Sequence, residues 1–249
     1  MKYKILCFFL ILGPWVRSQD TLIIFDRPGV ADSPYLVPEK IYLVETGIGF
    51  TDQTRINDLW YPSIMLRKRL GKTNELRVAT STFPQSFQLL NDVTDIHPLV
   101  GSAGIKQKLF SEKKIWPETS FILNSYFNFS SGKRLRLAEF VWECQLLFQS
   151  NINEWFSINY NTGYIHQVNR NLHYINQSTC FSFQLTKNLC TFVESFNYFS
   201  IGKNKNEFSY DVGLTYLIRH TIQFDLSYIA NHNFGSHYGT VLTGISFGL

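Results

Sequence analysis

The residues that could carry chemistry are charged, and their signs separate along the chain. Arg67, Arg69, Arg77, Lys106 and Lys108 come early, in "LRKRL", "ELRVAT" and "GIKQKLF", with Glu45 and Glu75 among them. Glu139, Glu143, Glu194, Asp211 and Asp225 follow in the second half. Paired carboxylates can share a proton, hold a cation or form ion pairs with bases. A basic wall facing an acidic wall across a wet pore would orient a polar solute; in a narrow pore the two walls would pair and block it. Plain solvated lining, internal bridging and solute guidance are therefore all open uses. For Asp211 and Asp225, bridging to the basic wall is preferred, because nothing beside them supplies a nucleophile or an oxyanion donor. His232, Ser236 and His237 lie in "NHNFGSHYG", which also reads as a plain turn. There is no G-x-S-x-G and no H-E-x-x-H, so the sequence predicts no enzyme and no catalytic residue. With Cys7 set aside in the leader, Cys144, Cys180 and Cys190 are odd in number and lack C-x-x-C spacing, so neither a disulfide framework nor a metal site is expected. No cofactor is implied.

The elements that must hold these charges are legible from a period of two. In "AEFVWECQLLFQ", Phe140, Trp142, Cys144, Leu146 and Phe148 alternate with Glu139, Glu143, Gln145 and Gln149. "YLVETGIGF" sets Tyr42, Val44, Ile48 and Phe50 against Glu45, Gly47 and Gly49, and "TIQFDLSYIA" sets Phe224 and Leu226 against Gln223 and Asp225. The pattern recurs about twelve times, in runs near the ~9–11 residues that a tilted membrane strand needs. Short turns at 71–73, 111–114, 151–154, 186–188 and 218–220 alternate with longer polar segments at 51–60, 83–96, 130–133, 166–177, 202–206 and 231–236. Such parity is the mark of an up-and-down membrane barrel with short turns on one side and long loops on the other. The predicted fold is all-β: a transmembrane antiparallel β-barrel of about 12 strands.

The first residues, "MKYKILCFFLILGPWVRS", have a basic start at Lys2 and Lys4, a short apolar run, and small residues at Val16 and Ser18. Residues 1–18 are read as a cleaved signal peptide. They hold Lys2, Lys4 and Arg17 and no acid, so most of the formal charge of +4 belongs to the leader. A nucleic-acid footprint is accordingly not supported. Residues 19–38, punctuated by Pro28, Pro34 and Pro38, are read as a periplasmic lead-in that cannot join a sheet, and residues 39–249 as the barrel.

The hairpins give a register. A turn at 71–73 opposes Arg69 to Glu75 and Arg67 to Arg77; a turn at 218–220 opposes Asp211 to Asp225. Opposed residues share a face, so these charges all point the same way. In lipid the apolar face must be outside, which directs Glu45, Gly47 and Gly49 into a lumen. Trp142, Leu146, Phe156, Phe224 and Phe247 are expected to face lipid, and Glu143, Asn159, Gln223 and Ser246 the lumen. Trp60, Tyr61, Trp116, Trp155, Tyr198 and Phe199 are expected at the interfacial girdles. Met65, Tyr126, Phe192 and Phe196 have lumen parity and are read as core filling of a narrow barrel. The last strand, Leu242–Phe247, is expected to close against Tyr42–Phe50, since open edges in lipid leave costly unpaired backbone groups.

The stretches "DRPGVADSPYLVPEKIYLVETGIGF", "YPSIMLRKRLGKTNELRVAT", "IHPLVGSAGIKQKLF", "FVESFNYF" and "YDVGLTYLIRHTIQFDLSY" resemble, in order and spacing, a bacterial outer-membrane transporter family. It is the family of proteins named for the MetA pathway of phenol degradation, frequent in Bacteroidetes. The resemblance implies an outer-membrane barrel that moves a small solute, aromatic or apolar in kind, and brings no catalytic motif. Function is therefore expected to be passive passage of a small-molecule solute through the outer membrane of a bacterial cell. Outer-membrane lipid and the barrel-assembly machinery are the implied partners. An occluded structural or surface-interaction barrel is the alternative, and a lipid-modifying enzyme built on the His232–His237 loop is a third.

Overall fold

The computed structural model describes residues 23–53, 56–60, 62–81, 100–128, 140–202, 206–233 and 236–249. The signal segment, Glu139 and the whole of the 83–96 and 130–133 segments lie outside them. Strands follow one another as β1 (Tyr42–Gln53), β2 (Ile56–Trp60), β3 (Ser63–Leu70), β4 (Asn74–Ser81), β5 (Val100–Phe110), β6 (Glu118–Asn128) and β7 (Val141–Asn153). They continue as β8 (Phe156–Gln167), β9 (Leu172–Gln184), β10 (Leu189–Ser200), β11 (Asn206–Arg219), β12 (Ile222–Asn233) and β13 (Ser236–Gly248). From β3 onward each pairs antiparallel with the next, β1 pairs antiparallel with both β2 and β3, and β13 pairs with β1. Because β2 and β3 lie in succession along the same edge of β1, they form one interrupted stave. The sheet is a closed barrel of twelve staves.

Closure follows the predicted pairing: Val44 lies opposite Phe247, Glu45 opposite Ser246 and Gly49 opposite Leu242. Arg67 opposes Arg77 and Arg69 opposes Glu75 across a turn whose Gly71 has a φ of 72°, which glycine adopts without strain. Parity holds around the wall. Leu146, Val212, Leu214, Phe224 and Val241 are exposed, whereas Glu143, Asp211, Gln223 and Ser246 are buried. An apolar exterior over a polar interior has a simple cause: lipid offers no partner for a polar side chain, and the ladder satisfies the backbone.

The structure corrects the sequence reading in several places. The 218–220 turn is a tighter one at His220–Thr221, with a bulge between Leu217 and Arg219. The pairing therefore slips by four residues: Asp211 opposes Ile229, and Asp225 opposes Thr215. An even slip keeps both carboxylates inside, which is why parity alone could not reveal it. The residue directly across from Asp211 on its other side is Glu194. The segments 51–60, 166–177 and 231–236, expected as loops, are mostly strand; β8 and β9 join through a short 3₁₀ turn, Val168–Arg170. Their polar composition reflects strand ends that stand near the rim. Tyr198 is not a girdle residue but is 6% exposed and lumen-facing, on the parity of Phe192 and Phe196. Trp116 and Trp155 are well exposed at tight-turn ends, as a girdle requires.

Because Val44 and Phe247 are register partners on the closing seam, a chain with its native cysteines replaced by alanine should form a Val44→Cys/Phe247→Cys disulfide on mild oxidation. A shift in electrophoretic mobility of the folded barrel, reversed by reductant, is the expected readout; an unlinked product would place the seam elsewhere.

Candidate functional site

Residues 23–41 contain no strand, as their prolines require. They do not stay outside the barrel, however. The lead-in enters the lumen as a re-entrant loop. Its two ends sit together at the tight-turn mouth, where Ile23 and Val37 pack on Leu43. Its apex near Val30 packs on an apolar cluster of Val100, Val141, Ile165, Tyr174, Phe196, Tyr198 and Ile229, all from strand halves nearer the opposite mouth.

The loop is held by charge. Arg67 and Arg77 are direct register partners, and Lys106 stands beside them on β5, opposite Glu75. Arg67 and Lys106 have no exposed surface and Arg77 very little. Three buried cations so close repel one another and lose hydration, so counter-ions are obligatory. Asp26 of the loop supplies the central one: its Oδ2 lies 3.0 Å from Arg67 Nη1, 2.8 Å from Arg77 Nη1 and 3.2 Å from Lys106 Nζ. Glu45 and Glu75 flank Arg67 at 3.2 and 2.8 Å, and Asp32 takes the other Nη of Arg77 at 2.6 Å. Burial alone would raise the Asp26 carboxyl; Arg67, Lys106 and Arg77 outweigh it and hold it well below the usual carboxylate range.

Wall side chains also read the loop's backbone. Glu45 accepts from Asp26 N at 2.9 Å, Glu194 from Val30 N at 2.9 Å, and Glu75 from Val37 N at 2.8 Å. Asn159 and Asn161 donate to the Asp32 carbonyl, and Gln223 donates to that of Arg27. A loop without strand structure thereby has its polar groups satisfied, as burial demands. Arg27 crosses to the other side and meets Asp225 at 3.2 Å. Gly47 and Gly244 leave the space for it, since a Cβ on Gly47 would come within 2.1 Å of the guanidinium and one on Gly244 within 2.7 Å. That is the structural reason for the first glycine of "ETGIGF".

The predicted walls thus do not face each other as two free surfaces. Arg67, Arg77 and Lys106 are neutralised by the loop and by neighbouring acids. Arg69 and Lys108 lie toward the tight-turn rim, where Arg69 is 3.8 Å from Glu39 and Lys108 pairs with Glu118. Of the acidic wall, Asp225 pairs with Arg27, while Glu143 accepts from Tyr126, Gln145 and Asn176. Glu139 and the side chains of His232, Ser236 and His237 fall outside the described residues. Sequence reasoning missed Asp26, Arg27 and Asp32, because a Pro-rich segment offers no periodicity to orient them. Their signal was the surplus of strand-borne bases in the first half of the barrel.

The loop divides the lumen. A cavity of about 510 Å³ opens toward the tight turns, lined by Asn151, Ser157, Ser182, Gln184 and Phe192 against Arg27 and Gly29. A second, of about 230 Å³, lies on the other side of the loop among Met65, Ala79, Ser102 and Tyr126.

No family model matches the chain, and no curated protein matches it in sequence. Among solved structures it is similar to the NanC porin, with a TM-score of 0.61 and 7% identity over 83% of this chain and 100% of that one. It is similar also to the KdgM porin in complex with disordered oligogalacturonate, with a TM-score of 0.56 and 9% identity over 83% and 99% of the two chains. An outer-membrane channel from Pseudomonas putida F1 matches with a TM-score of 0.53 and 8% identity over 84% and 94%. The likeness is one of fold: the barrel architecture of outer-membrane channels.

Removing Asp26 leaves three buried cations short of a shared counter-ion. Asp26→Ala should therefore lower stability by about 3–5 kcal/mol and expose the loop to added protease. The sign of the pH response follows from the lowered carboxyl. Its stabilisation is full above the ordinary unfolded value and fades only as pH falls through the depressed folded one. The protease resistance that wild type has over an Asp26→Asn chain should thus be as large at pH 4–5 as at pH 7, both above the ordinary aspartate value of about 3.9; a difference that vanishes within that range would contradict the Asp26 ion pairs.

Proposed function

We propose that this chain is a passive outer-membrane channel for a small solute, seen with its lumen closed by residues 23–41. The observation that carries this reading is that the obstruction is a separate loop, tethered at the mouth and held by side chains of a polar wall. A barrel meant only as a rigid post could close by filling its interior from the strands themselves. Here cavities of about 510 and 230 Å³ flank the loop on either side, so its withdrawal would join them. The porin-type architecture supports the same reading, as does the resemblance to the phenol-degradation MetA-type family. Placement in the outer membrane, assembly by the barrel-assembly machinery, and operation without cofactor or catalysis belong to this proposal.

An aromatic or apolar solute finds support in Tyr126, Phe192, Phe196 and Tyr198, which turn inward where porin-type lining is usually polar. The occluded structural barrel is the second reading, and the apolar cluster behind Val30 favours it, because that half of the lumen is filled by the wall.

Conductance in planar bilayers separates the two. Under the channel reading the Asp26→Ala/Arg27→Ala chain should open to steps several-fold larger, or more frequent, than those of wild type. Silence from both chains, with the variant's loop shown by proteolysis to be out, would establish the occluded barrel instead.

A further inference from the structure

Most buried lumen acids have a stated partner. Asp26, Asp32, Glu45, Glu75, Glu118 and Asp225 face Arg or Lys, and Glu143 is surrounded by three neutral donors. Glu194 and Asp211 break the pattern. They are direct register partners on β10 and β11, each 1% exposed, and no salt bridge reaches either among the described residues. Glu194 Oε2 accepts from the Val30 N–H and the Ala31 N–H also approaches the carboxylate, while Oε1 has no well-formed hydrogen bond. Ser227 Oγ and the Val212 N–H stand close to Asp211, but neither of its oxygens has a well-formed hydrogen bond. On the adjacent strand β12, Ser227 points into the same space; it is 3% exposed, its Oγ lies beside the Asp211 carboxylate without a well-formed hydrogen bond, and it sits two residues from Ile229, the register partner of Asp211.

Two adjacent carboxylates without counter-charge are among the costliest arrangements a buried site can hold. From their geometry we infer that Glu194, Asp211 and Ser227 form a site for a hard divalent cation, of the Ca²⁺ or Mg²⁺ class. The donors are all oxygen, which selects against soft metals. Two carboxylates match a double positive charge, and Ser227 Oγ adds a neutral donor. No three Asp, Glu, His or Cys side chains among the described residues form a dedicated metal cage, so water completes the shell. Cys180, directly across from Glu194, and Phe192, two residues along β10, line the 510 Å³ cavity and mark the route of entry. Binding displaces any proton that the pair holds.

The site has a structural consequence. Glu194 touches both the ion and the backbone of the loop apex, so the cation would fix the side chain that receives Val30 N–H. This inference does not depend on conduction; it stands or falls with ion binding alone.

The test uses the full chain in detergent free of lipopolysaccharide, stripped of divalent ions with a chelator. Calcium, magnesium and manganese chlorides are titrated calorimetrically, with thermal unfolding measured alongside. One ion per chain is expected, with a dissociation constant on the order of 10⁻⁴–10⁻³ M, the range of weak oxygen-donor calcium sites. Glu39→Gln, an exposed change, should bind as wild type does. Asp211→Asn and Glu194→Gln should each bind at least tenfold more weakly, and the ion should no longer raise their melting temperature. Ion-free Asp211→Asn should melt no lower than ion-free wild type, because the substitution removes an uncompensated charge. If Asp211→Asn does not insert, Glu194→Gln and Ser227→Ala carry the same comparison. Absence of binding by all three ions, or undiminished binding by the substituted chains, would overturn the site and leave a carboxyl pair that holds a proton.

Discussion

Three cations, Arg67, Arg77 and Lys106, project from adjacent strands into a space that excludes nearly all water. The wall alone supplies only Glu45 and Glu75 against them. Asp26 sits within 3.2 Å of all three, and its placement dictates much else. To bring it there the chain must turn back into the barrel. Once inside, a segment rich in proline must find partners for backbone groups that no ladder will take, and Glu45, Glu75, Glu194, Asn159, Asn161 and Gln223 provide them. The polar lining that a porous barrel would leave to water is thus redirected onto the chain's own peptide groups. Replacing such a buried network by apolar packing is often neutral or stabilising, so its polar character accords with the channel proposed above, whose loop must be able to leave.

How much of this is legible without coordinates follows from what a period of two can carry. It fixes which side chains share a face, and so the inward set from Glu45 to Ser246 could be read from alternation alone. Closure of β13 on β1 followed from the cost of an open edge in lipid. Register is less secure, because an even slip leaves every face unchanged. The His220–Thr221 turn and its bulge moved Asp211 four places from Asp225 without disturbing parity, and so turned an expected aspartate pair into a Glu194–Asp211 pair. Loop length is weaker still. Polar strand ends near a rim have the composition of loops, which is why 166–177 read as one.

The interior of the loop was beyond sequence reasoning for a different reason. Asp26, Arg27 and Asp32 lie in a stretch with no repeat, and their ion-pair partners are 41 to 198 residues away, the longest of these being Arg27 to Asp225. Only charge accounting pointed toward them: bases on β3 to β5 in excess of the acids beside them, and a glycine face opposite with no evident occupant. Gly47 has meaning only once the guanidinium of Arg27 is seen to fill its space.

The loop also precedes in the chain every strand whose charge it answers. Arg67, Arg77 and Lys106 all lie within the next 80 residues after Asp26, whereas the seam that seals the barrel forms only with β13. In sequence order the shared counter-ion therefore comes before the three cations it answers. In this barrel the segment that obstructs the lumen is also the one that supplies its most highly charged strands with their common counter-charge.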